Sequence, residues 1–265
     1  MRRGAFWSWL WVGLGILYFA VPLIATLEFS LKAERGRYSL AAYRTVLSDP
    51  QFARTFTFSV EIAVLTILFS LLLIVPTVYW VHLRMPQVRP VMDFIAFLPF
   101  VLPAVVLVFG LIRIYSRPPI TLTNQVWSTN MLLVAAYMGL ALPYMYRAVD
   151  TGMRAIDVRT LTEAAQSLGA GWPTIVGRVI FPNLRTALLS GTFLTFAIVL
   201  GEYTIASFLA RPMFGPYLAN LVRNKAYEPA ALSIISFALT WAMMAGLQWV
   251  TNRSPGAAQV TTGPR

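Results

Sequence analysis

EAAQSLGAGWPTIVGRVIFP, residues 163–182, is a polar stretch punctuated by glycine and set between long apolar runs. Thr160-x-x-Glu163 fits a capping box, a hydroxyl N-cap with a glutamate at N3 reaching back. Leu161, Ala164, Ala165 and Leu168 then recur at i, i+3, i+4 and i+7, the spacing of one helical face. Gly169 supplies the left-handed residue that closes such a helix. The spacing predicts a short helix near 161–168 with one small apolar face. Two turns bury too little area to hold themselves in water. The helix must therefore be held by flanking structure and seated in a groove of something else. A loop helix that only fills space is the plainer alternative, and the amphipathic face argues against it.

The flanks of this loop decide the fold class. The chain of 265 residues is 58% hydrophobic and 12% charged, about half the charge of a soluble domain. No charge occurs from 5 to 27, and 23 residues at about 1.5 Å each span roughly 35 Å, enough for a bilayer core. Further apolar runs cover 55–81, 91–112, 130–146, 186–206 and 229–250. They are continuous rather than alternating, so helices are expected and a barrel is not. The predicted fold is all-α, a polytopic membrane protein with six transmembrane helices forming one domain over 1–253. Residues 147–185 form its internal loop, and 254–265 are expected to be a disordered tail.

Arg2 and Arg3 precede an apolar run too long for a cleaved signal, so an uncleaved signal anchor is expected. Both termini would then be cytoplasmic. The 21 Lys and Arg residues divide almost evenly between the two sides and do not fix orientation. The net charge of +11 lies in short loops without a basic stripe, which fits anionic lipid headgroups and not nucleic acid. The absence of cysteine removes thiolate metal sites and thiol nucleophiles. His82 is expected in a solvated loop beside Arg84, so no metal and no cofactor is predicted. Pro99 and Pro103, four residues apart, could together bend the third span.

The loop resembles the signature of the inner-membrane permease subunits of bacterial ATP-binding-cassette importers: EAA, three residues, glycine, nine residues, then I-x-L-P. Glu163, Ala164, Ala165, Gly169 and Pro182 match identically, while Val179 and Phe181 replace the Ile and Leu. The resemblance implies the type I importer permease fold. It also implies that this loop is the cytoplasmic coupling element, with Leu161, Glu163, Ala164, Ala165, Leu168, Gly169 and Pro182 meeting a cytoplasmic ABC ATPase dimer. A second permease subunit, a different chain, and a periplasmic or lipid-anchored solute-binding protein complete the implied assembly in the inner membrane.

Independently of that resemblance, the chain lacks a phosphate-binding loop: Lys32 and Lys225 follow Leu31 and Asn224, outside any glycine-rich turn. Any ATP hydrolysis falls to a partner, so this chain is not expected to be an enzyme. Charges inside a bilayer are costly and mark pathway candidates. Glu61 and Glu202, with Tyr203 and Ser207, could line a path for a cationic solute. The alternative is headgroup-level pairing with Arg54 and Arg211; for Glu202, Gly201 favours the path because it permits close helix approach. Residues 39–52 and 201–212 look like the branch serving spermidine and putrescine, with aminoethylphosphonate, ferric iron and thiamine as alternatives. A channel of another class would leave the docking loop unexplained, and a membrane-embedded enzyme would need donors converging at one depth.

Overall fold

The computed structural model describes residues 2–252, and among them it is helical with no strand. Four helices are long and apolar enough to cross a membrane, and six spans result if each of two sharply bent pairs counts as one. Helix α1 (Arg2–Ser30) has no amphipathic face and, from Trp7 onward, presents nearly all its side chains outward. A helix apolar all round needs lipid or another chain beside it. It contacts the last helix, α13 (Glu228–Asn252), with Phe29 and Tyr227 rings 4.9 Å apart at that end. Between them, α2 (Ala41–Ser48) is a short amphipathic helix that buries Ala42 and Val46.

Helix α3 (Pro50–Arg84) is the longest element at 35 residues, about 52 Å and well beyond one bilayer core. Pro50 occupies its first turn, where no amide partner is lost, and Asp49 accepts the amide of Gln51 as N-cap. Its buried face carries small hydroxyl residues, Thr55, Ser59, Thr66 and Ser70. Thr55 and Thr66 return their hydroxyls to carbonyls one turn back, so they pack without unpaired donors. This face lies against α6 (Val126–Arg154) and α10 (Arg185–Gly201). Those two meet through small residues: a Cβ on Gly152 would sit 2.6 Å from that of Ala187, and one on Gly191 2.8 Å from the Met145 sulfur. Such close approach is what lets helices associate where water exclusion gives no drive.

The third expected span is not straight. Helices α4 (Arg89–Val101) and α5 (Ala104–Tyr115) meet at 101°. Pro103 forces Leu102 into an extended conformation (φ −88°, ψ 113°) and ends the helix there. Pro99, expected to share the bend, lies inside α4. After α7 (Val158–Ser167), residues 172–183 form a second bent pair with α10, at 82°. It comprises α8 (Trp172–Thr174), a π-helical turn (Ile175–Ile180) and α9 (Phe181–Asn183).

The fifth expected span, 186–206, likewise stops at Gly201. Glu202 is extended, and α11 (Thr204–Phe208) and α12 (Phe214–Asn224) follow. Two apolar clusters result. One gathers Tyr137, Phe196, Ile205 and Phe214; the other, toward the loop, gathers Tyr79, Met145, Val149, Ile175 and Ile180. The expected tail at 254–265 lies outside the described residues.

Helix α12 is pinned by the Phe214 amide donating to Ser59 Oγ at 2.8 Å and by Tyr217 donating to Asp49 at 2.6 Å. This seats Gly215 on the break after α10: an added Cβ would lie 2.3 Å from the Glu202 carbonyl oxygen, a backbone atom that cannot swing away. Gly215→Ala is therefore expected to cost about 1–3 kcal/mol, read as a lowered Tm in detergent. Gly139→Ala, in α6 where nothing lies within 4 Å, is expected to be neutral or to stabilise by up to about 1 kcal/mol.

Candidate functional site

The loop helix exists, and it begins earlier than its sequence suggests. Helix α7 starts at Val158 with Asp157, not Thr160, as N-cap; Asp157 accepts the Thr160 amide at 3.1 Å and the Thr160 hydroxyl at 2.6 Å. Thr160 thus plays the N3 role that was expected of Glu163. The end is as expected. Gly169 has φ +78°, its amide donates to the Gln166 carbonyl at 2.8 Å, and the Ala170 amide donates to that of Ala165 at 3.0 Å. This pair of bonds is a Schellman closure, which favours glycine at the left-handed position.

The earlier start extends the buried face to Val158. Val158, Thr162 and Ala165 are buried and Leu161 is half-buried, whereas Glu163, Ala164 and Leu168 face outward. Leu168 is 89% exposed, although it was expected on the same face as Ala165. The inner face is fastened by polar and apolar contacts. The Thr162 hydroxyl lies 3.2 Å from that of Tyr79 near the end of α3, and Trp172 stacks on Trp80 at 6.2 Å. Pro182, in α9, has no amide to return to Arg178. The Phe181 amide instead reaches five residues back to Val176, and the Asn183 side chain takes the Val179 carbonyl at 2.8 Å. The missing donor accounts for the π-helical turn ahead of α10.

A buried carboxylate that sequence reasoning missed lies above this unit. Asp150 on α6 accepts from Arg89 at 2.9 Å, from Arg154 at 2.6 Å and lies 3.0 Å from His82 Nε2. His82 is therefore no solvated loop residue; it sits in the last turn of α3 with its side chain 12% exposed. Asp93 on α4 accepts the Tyr146 hydroxyl nearby at 3.0 Å. The available signal was an acid four residues before Arg154 at the end of an apolar run, a helix-pairing distance.

The path candidates separate. Both oxygens of Glu202 accept the Ile205 amide at 2.9 and 3.0 Å, and one also accepts the Ala206 amide at 3.2 Å and the Tyr137 hydroxyl at 3.0 Å. This carboxylate caps α11 across the break. Gly201 has nothing within 4 Å of an added Cβ, so the close approach expected there occurs at Gly215 instead. Tyr203 is exposed and Ser207 half-buried. Arg211 bonds Asn130 at 3.3 Å and nearby carbonyls, with no ion pair to Glu202. Glu61 instead shares an open cleft of about 700 Å³ with Arg54, Thr57, Val126, Asn130 and Arg211.

Long apolar helices, two bent pairs and a capped loop helix with one exposed face make up a polytopic helical fold. Residues 82–253 match the model of the binding-protein-dependent transport system inner membrane component family, and the chain belongs to that family. It is 30% identical over 200 residues to a probable molybdenum ABC transporter permease protein of Haloferax volcanii, covering 75% of this chain and 71% of that one. It is 23% identical over 202 residues to the spermidine/putrescine transport system permease of Escherichia coli strain K12, covering 74% of each. Its fold matches a solved bacterial ABC transporter involved in import of the acidic polysaccharide alginate, with TM-score 0.74, 13% identity and 96% and 97% of the two chains covered. The same fold recurs in that transporter's complex with an alginate-bound periplasmic protein. The chain is an inner-membrane permease subunit of an ATP-binding-cassette importer, and its relatives are transporter subunits, not enzymes.

The Asp157 carboxyl is held below the usual carboxylate range, first by the Thr160 hydroxyl and then by its amide. A depressed folded pKa contributes stability that is present above the ordinary Asp value and is lost as pH falls through the folded value. Hydrogen exchange of 158–168, corrected for intrinsic pH dependence, is expected to show fraying of α7 below about pH 4. Asp157→Asn, still a good cap, is expected to keep protection at neutral pH and lose that acid dependence; Asp157→Ala is expected to fray at both.

Proposed function

We propose that the outward face of α7 is the seat of the cytoplasmic ATPase, and that α7 passes the ATPase's motion to the spans. The observation that carries this is the bare Leu168, 89% exposed on a helix whose opposite face is fastened to the bundle. Ala164, one turn back and also exposed, leaves room for a partner backbone beside it. Glu163 and Arg159 flank the apolar pair with their side chains exposed, as a polar rim flanks an interface centre. Leu161 and Ala165 hold the helix in place, Gly169 closes it, and Pro182 shapes the turn into α10.

In this reading the loop and both termini are cytoplasmic, and the chain forms half of a translocation path with a second permease subunit of different sequence. A solute-binding protein delivers solute to the opposite face. Closure of the ATPase dimer pulls on α7, and the fastened inner face carries that pull into α3, α6 and α10, rocking the path between its two openings.

The solute follows from the charges left at that opposite face. A polyamine would use Glu61 and Glu202, and relatives include a spermidine/putrescine permease. Support for it weakens because Glu202 spends both oxygens on α11 and Tyr137, leaving Glu61 beside two arginines. An anionic solute fits that balance better, and relatives include a probable molybdenum permease. Glu202, Tyr203 and Ser207 then brace the path at the α10 break, and the cleft at Glu61 lines it.

Leu168→Asp places a charge at the centre of the proposed interface without touching the buried face of α7. ATPase retained on the purified permease is expected to fall about tenfold or more, the range for truncating an interface anchor. Leu168→Met is expected to retain it. Undiminished ATPase retention in Leu168→Asp would remove the docking role.

A further inference from the structure

We infer that the cleft at Arg54, Glu61, Asn130 and Arg211 is an entry site for a small oxyanion on the membrane face opposite the coupling loop. The inference rests on the importer reading and deepens it by naming the solute class and the residues that take it. Placement comes from α6. Val126 and Asn130 line the cleft at its first turns, and the loop leaves its other end after Arg154. The 24 residue steps from Asn130 to Arg154 rise about 36 Å, so cleft and coupling loop stand on opposite sides of the bilayer.

The cleft's chemistry favours an anion. Arg54, Thr57 and Glu61 recur three and four residues apart on one exposed face of α3. Arg54 and Glu61 have no hydrogen bond or ion pair among the described residues, in a helix that otherwise turns apolar side chains outward at Val64, Leu68 and Leu72. Charges so placed would be costly in the hydrocarbon core, so this end of α3 meets headgroups, water or the second permease. Arg211 is held in place rather than free: its Nε donates to the carbonyls of Leu209 and Ala210, and Nη1 donates to Asn130 at 3.3 Å. The start of α6 adds its positive dipole end, with no acidic residue in the first turn and no side chain capping it. Two guanidinium groups, an amide, a hydroxyl and a helix start outweigh one carboxylate. Guanidinium forks match the paired oxygens of a tetrahedral oxyanion.

The test uses the assembled importer, both permeases with the ATPase, in nanodiscs without solute-binding protein. Equilibrium dialysis is run with molybdate and with sulfate, and with spermidine as the opposite charge. Saturable binding of an oxyanion is expected, and Arg54→Gln and Arg211→Gln each weaken it about tenfold, the loss for one charge-assisted contact. Arg211→Lys retains part of the affinity, and Glu61→Gln tightens it. Because Arg211 also supports its own loop, Arg54→Gln, which breaks no hydrogen bond or ion pair among the described residues, keeps the result interpretable. The proposal is overturned if neither oxyanion saturates. It is equally overturned if spermidine binds and Glu61→Gln abolishes that binding. A third contrary result is arginine variants that keep oxyanion binding and lose only affinity for the solute-binding protein. ATPase retained in the same preparation reports on the coupling surface, so failure there is distinguishable from failure at the cleft.

Discussion

The placement of the loop depends on a single buried carboxylate. Asp150 is 3% exposed and joins the end of α3 through His82, the start of α4 through Arg89 and the end of α6 through Arg154. Those groups come from three helices that end at one level, and without a shared anion the two guanidinium groups would repel across a site with little water. Removing one member of a buried ion pair is far costlier than the pair is worth, because the remaining charge stays desolvated. The partly exposed arginines lessen that penalty and leave Asp150 as the group that cannot be spared. Three residues beyond Arg154 the chain reaches the Asp157 cap, so the geometry set at Asp150 is handed directly to α7.

From there the mechanical layout is a matter of what is fastened. The inner face of α7 is tied by Thr162 to Tyr79 and by the cluster around Val158, Ala165 and Ile175. Trp172 stacks on Trp80, and the π-helical turn before Pro182 sets the 82° entry into α10. The cap at Asp157 and the Schellman closure at Gly169 define the two ends of α7. Helix α6 carries Asn130 near its start and Asp150 near its end, which joins the cleft and the loop through one continuous helix.

Much of this was legible in the residues. Composition and run length place the six apolar segments, and Gly169 marks the end of the loop helix because few other residues adopt its backbone angles. The start was misread because Asp157 and Thr160 are both acceptable caps, and Glu163 three residues after Thr160 favours the wrong one. The earlier start adds Val158 to the face shared by Leu161 and Ala165, while Leu168, the C-cap beyond the last helical residue, lies outward. The bends were legible as prolines but not as positions. Pro76, Pro99 and Pro143 stay inside helices, where neighbouring groups can re-satisfy the backbone, and only tertiary packing decides that Pro103 breaks its helix. Apart from the Arg154 pair at i, i+4, the Asp150 contacts to His82 and Arg89 and the Arg211–Asn130 contact join residues 61 to 81 positions apart, a separation no local pattern reports. Glu202 was legible as an acid at the end of an apolar run, but its hydrogen bonds to Ile205, Ala206 and Tyr137, which make it a cap for α11, were not.

The central claim is that α7 presents a bare face on the cytoplasmic side and that the ATPase covers it. The chain contains no cysteine, so a single Leu168→Cys substitution gives an unambiguous reporter with a membrane-impermeant maleimide. The account expects rapid labelling from the cytoplasmic side in the permease pair alone, slowed about tenfold or more when the ATPase is bound, as for a residue at the centre of an interface. Labelling from the outer side only, or a rate unchanged by the ATPase, would contradict it.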